Sequence, residues 1–168
     1  MPGLLTVSGS PPPQSGNSRL LAALTHLTDR PVAAAPSLDE LPIFQPRLDQ
    51  APWPDAVLRW RSALRAADAV VCCTPAYLHN IPGVLKNALD WLASSGELDG
   101  KPVLALTLTP APPRGDRARQ SLLWSLEALN ARVVAEAGLY RPDLTWRENG
   151  DIAPGPTREL LAEALRLL

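Results

Sequence analysis

Aromatic residues are scarce, at 5% of the 168 residues, with a single phenylalanine. The core must therefore be built mainly from Leu, Ala and Val. A hydrophobic fraction of 46% is enough for that in a chain of this length. Lysine is nearly absent, Lys86 and Lys101 being the only two. Arginine carries the remaining positive charge, and the net charge is −1. That balance excludes the basic field that would draw the chain to nucleic acid or to an anionic membrane. The only cysteines, Cys72 and Cys73, are adjacent and cannot staple distant segments. With His26 and His79 scattered elsewhere they make no zinc spacing. No apolar run reaches the roughly 18 residues of a membrane span. No charged start followed by an apolar segment marks a secretory leader. The expected setting is a reducing cytoplasm. Proline and glycine, at 19 and 10 residues, stay below the roughly 25–30% of disordered chains.

What is present is an alternation. Gly3 to Val7 is a short apolar run bounded by turn residues, the mark of a buried strand. Leu20, Leu21, Leu24 and Leu27 follow at helical spacing. Residues 31–35 read as a weak second strand, and residues 36–54 as an ordered proline-rich loop tucking in Leu41, Ile43 and Phe44. Val57, Trp60, Leu64 and Ala67 mark a second helix, and "AVVCCT" (69–74) a third strand. Pro82 suits the first position of a third helix, with its inward stripe at Leu85, Leu89 and Leu92. "PVLALTLT" (102–109) is a fourth strand, Leu122, Leu126 and Leu129 a fourth helix, and residues 132–137 a fifth strand. A helix over 156–168 closes the chain. Alternating helices and nearly continuous apolar strands predict a parallel sheet covered on both faces. With right-handed crossovers, the natural solution for five strands is a flavodoxin-like three-layer α/β sandwich of order 2-1-3-4-5. Residues 1–168 are expected to form a single domain.

In such a sheet ligands bind outside the carboxyl ends of the strands, where the winding reverses. For this order that place lies between strands 1 and 3. The loops facing it are residues 8–18 and 75–81, with 109–116 alongside. The first loop, "SGSPPPQSGNS", leads into a helix whose first N–H groups are unpaired and whose dipole is positive. Ser10, Ser15, Asn17 and Ser18 add donors for an anion. The same residues also suit a plain strand-to-helix turn capped by Ser15. Neither a dinucleotide G-x-G-x-x-G nor a triphosphate P-loop is present.

Residues 74–91 read "TPAYLHNIPGVLKNALDW". They resemble the T-P-E-Y-N-x-x-x-P-G-V-L-K-N-A-I-D-W of the NADPH-dependent FMN reductase family, and the first loop resembles that family's G-S-x-R-x-x-S-x-N. The resemblance implies an FMN-binding domain. The phosphate would be held by Ser10, Ser15 and Asn17, with Ser18 as a backbone donor. The ring would be lined by Pro75, Ala76, Tyr77 and Leu78, largely through backbone groups, with Thr109 as the hydroxyl of the third loop. It implies an enzyme, a cytoplasmic homodimer or homotetramer. Hydride from NADPH or NADH would pass through FMN to a small-molecule quinone, azo, metal or flavin acceptor, with no catalytic side chain required.

The chain departs from the family pattern at three positions. Pro12 stands in place of an arginine, and Ala76 and Leu78 in place of Glu and Asn. Arg19 is a differently spaced candidate for the missing charge. His79 reads first as a solvated loop residue and second as a proton donor. Arg114, Arg117 and Arg119 read first as a solvated helix face and second as an attractor of a nucleotide phosphate. Cys72 and Cys73 read as core. Lys86, Asn87 and Asp90 would tie their helix to its neighbours or to a second subunit, and Trp91 would pack beside them, in the core or at an interface. Two other functions fit the residues: a flavin-binding electron carrier without reductase activity, and a cofactor-free interaction protein.

Overall fold

The computed structural model describes residues 3–10 and 14–168. Five strands, β1 (Leu4–Ser8), β2 (Val32–Ala34), β3 (Ala69–Thr74), β4 (Pro102–Thr109) and β5 (Arg132–Tyr140), pair in parallel in the order β2-β1-β3-β4-β5. The flavodoxin-like prediction holds. β5 runs three residues beyond the predicted end, because its ladder with β4 continues to the Thr109–Tyr140 pair.

Side-chain alternation along the strands divides the core in two. Leu5, Val7, Val70, Cys72, Val103 and Ala105 face α2 (Asp55–Ala66), α3 (Gly83–Asp90) and α4 (Asp116–Ala128). Leu4, Ala69, Val71, Cys73, Leu104 and Leu106 face α1 (Gly16–Ala23) and α5 (Pro156–Arg166). β3, buried at every residue, is the central plank of both layers. Burial pushes the Cys72 thiol up to about 12. Burial raises the Cys73 thiol too, with Cys72 beside it adding to the shift. Both are protonated core side chains, as their composition suggested.

The 36–54 segment is fastened to the α2/α3 layer by polar bonds through Asn87, a residue expected to tie its helix to its neighbours, and Trp91, expected to pack beside it. Asn87 Oδ1 accepts the Phe44 N–H at 2.7 Å, and the Asn87 amide donates to the Pro42 carbonyl at 3.0 Å. Trp91 Nε1 donates to the same carbonyl at 2.7 Å, and Phe44 packs edge-on against the Trp91 ring. Below this, the Arg61 guanidinium is buried. It donates to Asp49 at 2.7 Å and to the Trp91 carbonyl at 2.6 Å. Leu41 is inside and Phe44 half-buried, but Ile43 is 78% exposed. The expectation that Ile43 tucks inward is corrected: hydrogen bonds to Pro42 and Phe44 hold the backbone so that the residue between them faces solvent.

Candidate functional site

The β1–α1 loop is built to lie close against β3. The Gly9 N–H donates to the Cys73 carbonyl at 2.8 Å, carrying the β1–β3 ladder one residue past the strand. A Cβ at Gly9 would stand 2.7 Å from Thr74 Oγ1 and 2.9 Å from Leu85 Cδ2, so only glycine permits this approach. Ser15 then caps α1, its Oγ accepting the Ser18 N–H at 3.1 Å. Helix geometry leaves the Gly16 and Asn17 N–H groups at the open end, where the dipole is positive.

The serines are joined in a chain. Ser18 Oγ donates to Ser8 Oγ at 3.1 Å, and Ser15 Oγ lies 3.0 Å from Ser18 Oγ. The Ser10 N–H donates to Ser8 Oγ at 3.3 Å. A hydroxyl carries one proton, and that of Ser18 goes to Ser8, so Ser15 is the donor to Ser18. Ser8, at the centre of this chain, was not singled out in the sequence. Its position as the last residue of β1, on the side facing α1, was the available signal. The departure at Pro12 lies outside the described residues.

The candidate residues are thus only partly brought together. Ser10, Ser15 and Ser18 share one loop, and Ser10 and Ser18 line a 310 Å³ cavity beside Thr6, Ala35 and Ser37. The Asn17 side chain is buried, its Oδ1 accepting the Cys73 thiol at 3.0 Å. Only the backbone N–H of Asn17 is left at the open end of α1. Arg19 does not enter the serine chain. Its guanidinium stacks 4.1 Å from the Trp146 ring, at the edge of a second cavity shared with Ser15 and Arg141.

Across the sheet edge, Tyr77 to Asn80 form a tight turn. Tyr77 and Asn80 exchange both backbone hydrogen bonds at 2.9 Å, which takes the Tyr77 backbone groups out of play for a ligand. Leu78 and His79 sit at the tip with φ of 50° and 64°, a conformation usually left to Gly or Asn. Leu78 is 99% exposed, and Tyr77 is 49% exposed. Pro75 is half-buried, while Ala76 is buried in the α3-side core and also borders the cavity in front of the turn. In the neighbouring loop, Thr109 is buried and its hydroxyl donates to the Arg114 carbonyl at 2.5 Å. Thr109 therefore shapes the loop, and its proton is not directed outward. Gly115, at φ 109°, completes the same bend, and a Cβ there would meet Thr109 Cγ2 at 2.9 Å. No group of metal-ligating side chains occurs among the described residues. No helix among them is long and apolar enough to cross a membrane.

Comparison with known proteins places this arrangement. The family model described as NADPH-dependent FMN reductase matches residues 2–142. A quinone reductase of Escherichia coli K12 is 37% identical over 106 residues, covering 61% of this chain and 56% of that protein. The chain thus spans just over half the length of the first relatives it matches. An NAD(P)H-dependent FMN reductase of Pseudomonas aeruginosa is 30% identical over 132 residues, covering 76% of this chain and 71% of its own. Among solved structures, the flavoenzyme NAD(P)H:(acceptor) oxidoreductase FerB of Paracoccus denitrificans superposes with a TM-score of 0.80 at 22% identity. It covers 99% of this chain and 95% of its own. A Treponema denticola general stress protein in complex with FMN has a TM-score of 0.59 at 16% identity, covering 99% of this chain and 94% of that one. With the family model extending over most of its length and both loops standing at the β1/β3 switch, the chain belongs to the NADPH-dependent FMN reductase family.

Proposed function

We propose that the chain, as one flavin-binding domain, is an FMN-dependent NAD(P)H oxidoreductase that delivers electrons to a small-molecule acceptor such as a quinone or azo compound. The observation that carries this reading is the pairing of two loops across the switch between β1 and β3. One is a hydroxyl-lined loop at a helix N-terminus, and the other an exposed turn with its tip free of backbone partners among the described residues. Relatives named as quinone reductase, NADPH azoreductase and NAD(P)H-dependent FMN reductase support it.

The residues fit FMN in the following way. Gly9 holds the loop against Thr74, and the Gly16 and Asn17 N–H groups face a phosphate at the positive end of α1. The Ser8, Ser15 and Ser18 hydroxyls, which bond one another in this structure, rotate to donate to its oxygens. This neutral cradle answers the loss of an arginine at Pro12: the phosphate charge meets amides, hydroxyls and a helix dipole. Pro75 to Leu78 line the ring, and the Leu78 and His79 N–H groups at the turn tip are its backbone donors. When bound, FMN supplies hydride and electron transfer. The protein positions the cofactor and keeps the ring accessible, with no acid or base of its own required. The exposed Trp124 on α4, 64% accessible, borders a 380 Å³ cleft with Leu89, Ala93 and Leu129. That exposed tryptophan beside a cleft of mixed apolar and charged lining supports self-association as a homodimer or homotetramer.

The visible spectrum of the purified protein, after FMN reconstitution and before and after anaerobic NADPH addition, tests the reading. Flavin bands that bleach on reduction, and recover when a quinone is added, are expected. Protein that takes up no FMN overturns it. A bound flavin that NADPH and NADH leave oxidised makes the chain an electron carrier instead.

A further inference from the structure

A cavity of about 620 Å³ at the sheet's carboxyl edge is not accounted for by the flavin phosphate. It lies between the 76–79 turn and the start of α4, and is lined by Ala76, Leu78 and His79 on one side and by Pro113, Arg114, Asp116 and Arg117 on the other. Its size is in the range of small-molecule sites. Its two walls differ in kind, one apolar with an imidazole and one cationic.

The cationic wall is braced. The Thr109 hydroxyl donates to the Arg114 carbonyl at 2.5 Å, the Arg114 N–H donates to the Ala111 carbonyl at 3.0 Å, and Gly115 supplies the bend between Arg114 and the helix. Arg114, in the turn before the helix, and Arg117, in its first turn, both line the cavity. Neither has a carboxylate partner among the described residues. Arg119, one turn on, is different: it contacts Asp116 and Glu136, both at 3.3 Å. Asp116, the one carboxylate of the cavity wall, is thereby engaged. Two guanidiniums that line one cavity with no ion pair of their own among the described residues, its one carboxylate being paired with Arg119, are a site for a dianion, because each presents a planar fork of donors matched to phosphate oxygens.

FMN carries one phosphate, and the serine loop at α1 serves it. Ala76 and Leu78, two of the residues proposed to line the ring, form one wall of this cavity, and the arginines stand on the other. The second anion belongs to the hydride donor. A phosphate monoester carries up to two negative charges near neutral pH, whereas each phosphate of a dinucleotide pyrophosphate carries one. We infer that Arg114 and Arg117 clamp the 2′-phosphate of NADPH, so that this cavity selects NADPH over NADH. The inference rests on the oxidoreductase reading above for its reaction, but not for its binding site.

The test is direct. Adenosine 2′,5′-bisphosphate and adenosine 5′-monophosphate are titrated calorimetrically into the wild-type chain and into the Arg114→Gln/Arg117→Gln variant, with and without FMN. Both positions are exposed, so the double substitution is tolerated by the fold. The bisphosphate is expected to bind the wild type at least ten-fold more tightly than the monophosphate, and the variant is expected to lose that preference. In steady-state assays of the FMN-loaded protein, the ratio of kcat/KM for NADPH to that for NADH should fall at least ten-fold in the variant. A preference that persists in the variant, or a wild type that binds both nucleotides equally, overturns the clamp. A loss that is equal for NADH and NADPH overturns it too, and assigns the arginines to the pyrophosphate. A variant-sensitive bisphosphate site in a chain that takes up no FMN would uphold the clamp and reject the oxidoreductase. FMN uptake and reduction with no bisphosphate preference would do the reverse.

Discussion

The loops on the β1/β2 side of the sheet edge and those on the β3/β4 side are held in opposite ways. On the first side nearly every polar group is engaged. The serines bond one another, Gly9 is clamped to β3, and the 36–54 segment is tied to α2 and α3 through Asn87, Trp91 and the buried Arg61–Asp49 pair. On the second side Leu78 stands in solvent at positive φ, and Arg114 and Arg117 have no ionic partner among the described residues. On the proposed function the contrast is a division of labour. A cofactor that stays bound would be served by a preformed cradle, because ordering it in advance lowers the entropy lost on binding. A substrate that arrives and leaves would be served by exposed groups with unspent donors.

The largest expected effect comes from unfastening the tied side. Arg61→Ala leaves the Asp49 carboxylate buried without its cation, and should lower stability by about 3–5 kcal/mol in urea denaturation. The partner loss also has a pH signature. Burial disfavours the ionised Asp49 carboxyl, but hydrogen bonds from Ser94 and Arg61 and the Arg61 charge outweigh it, so its pKa lies below the ordinary carboxylate value. A depressed folded-state pKa contributes stability above the unfolded value of about 3.9 and loses it as pH falls through the folded one. Asp49→Asn should therefore be less stable than the wild type at pH 6 and show a flatter loss of stability below pH 4.

The next effect tests the close approach of the serine loop. Gly9→Ala forces a methyl into Thr74 and the Leu85 side chain. It should cost about 1–3 kcal/mol by overpacking and shift the loop away from β3, so that FMN affinity falls along with the thermal midpoint. Wild-type affinity in a folded Gly9→Ala protein would show that the cradle does not depend on this contact.

The cradle itself is weighed by hydroxyl removal. Ser15→Ala with Ser18→Ala breaks the hydroxyl chain and should weaken FMN binding at least ten-fold in a fluorescence titration, about 1.4 kcal/mol. Asn17→Ala should act differently, lowering stability through its lost bond to Cys73 and leaving FMN affinity within a few-fold. If Asn17→Ala is instead the more damaging to affinity, the inward amide is not its working state.

The inward bond of the Asn17 side chain shows where the sequence was legible. The strand order followed from the alternation of helices with strands that are apolar on both faces, which calls for a parallel sheet covered on both sides, together with right-handed crossovers. The place of both loops followed from that order. What a polar side chain bonds to was not legible, since it depends on residues far away in sequence. Asn17 meets Cys73, Thr109 meets its own loop at Arg114, Arg61 is buried against Trp91, and Ile43 is turned out by bonds on either side of it. Motif spacing brought Ser10, Ser15 and Asn17 together correctly as a segment, and said nothing of which atom of each faces a ligand.

The smallest effect concerns the open side, where the turn tip is strained. A γ-branched residue in the left-handed region costs roughly 1 kcal/mol that asparagine largely avoids, and Leu78 at 99% exposure recovers none of it by burial. Leu78→Asn should therefore raise stability by about 1 kcal/mol. If the exposed leucine serves as an apolar contact for ring or nucleotide, the same change should raise the KM for the hydride donor while the protein becomes harder to unfold. Opposite signs in the two measurements would mark a residue kept for function against the preference of its own backbone. A gain in stability with unchanged KM would leave the tip as a turn without a ligand contact, and would place the working surface of the open side on the arginines alone.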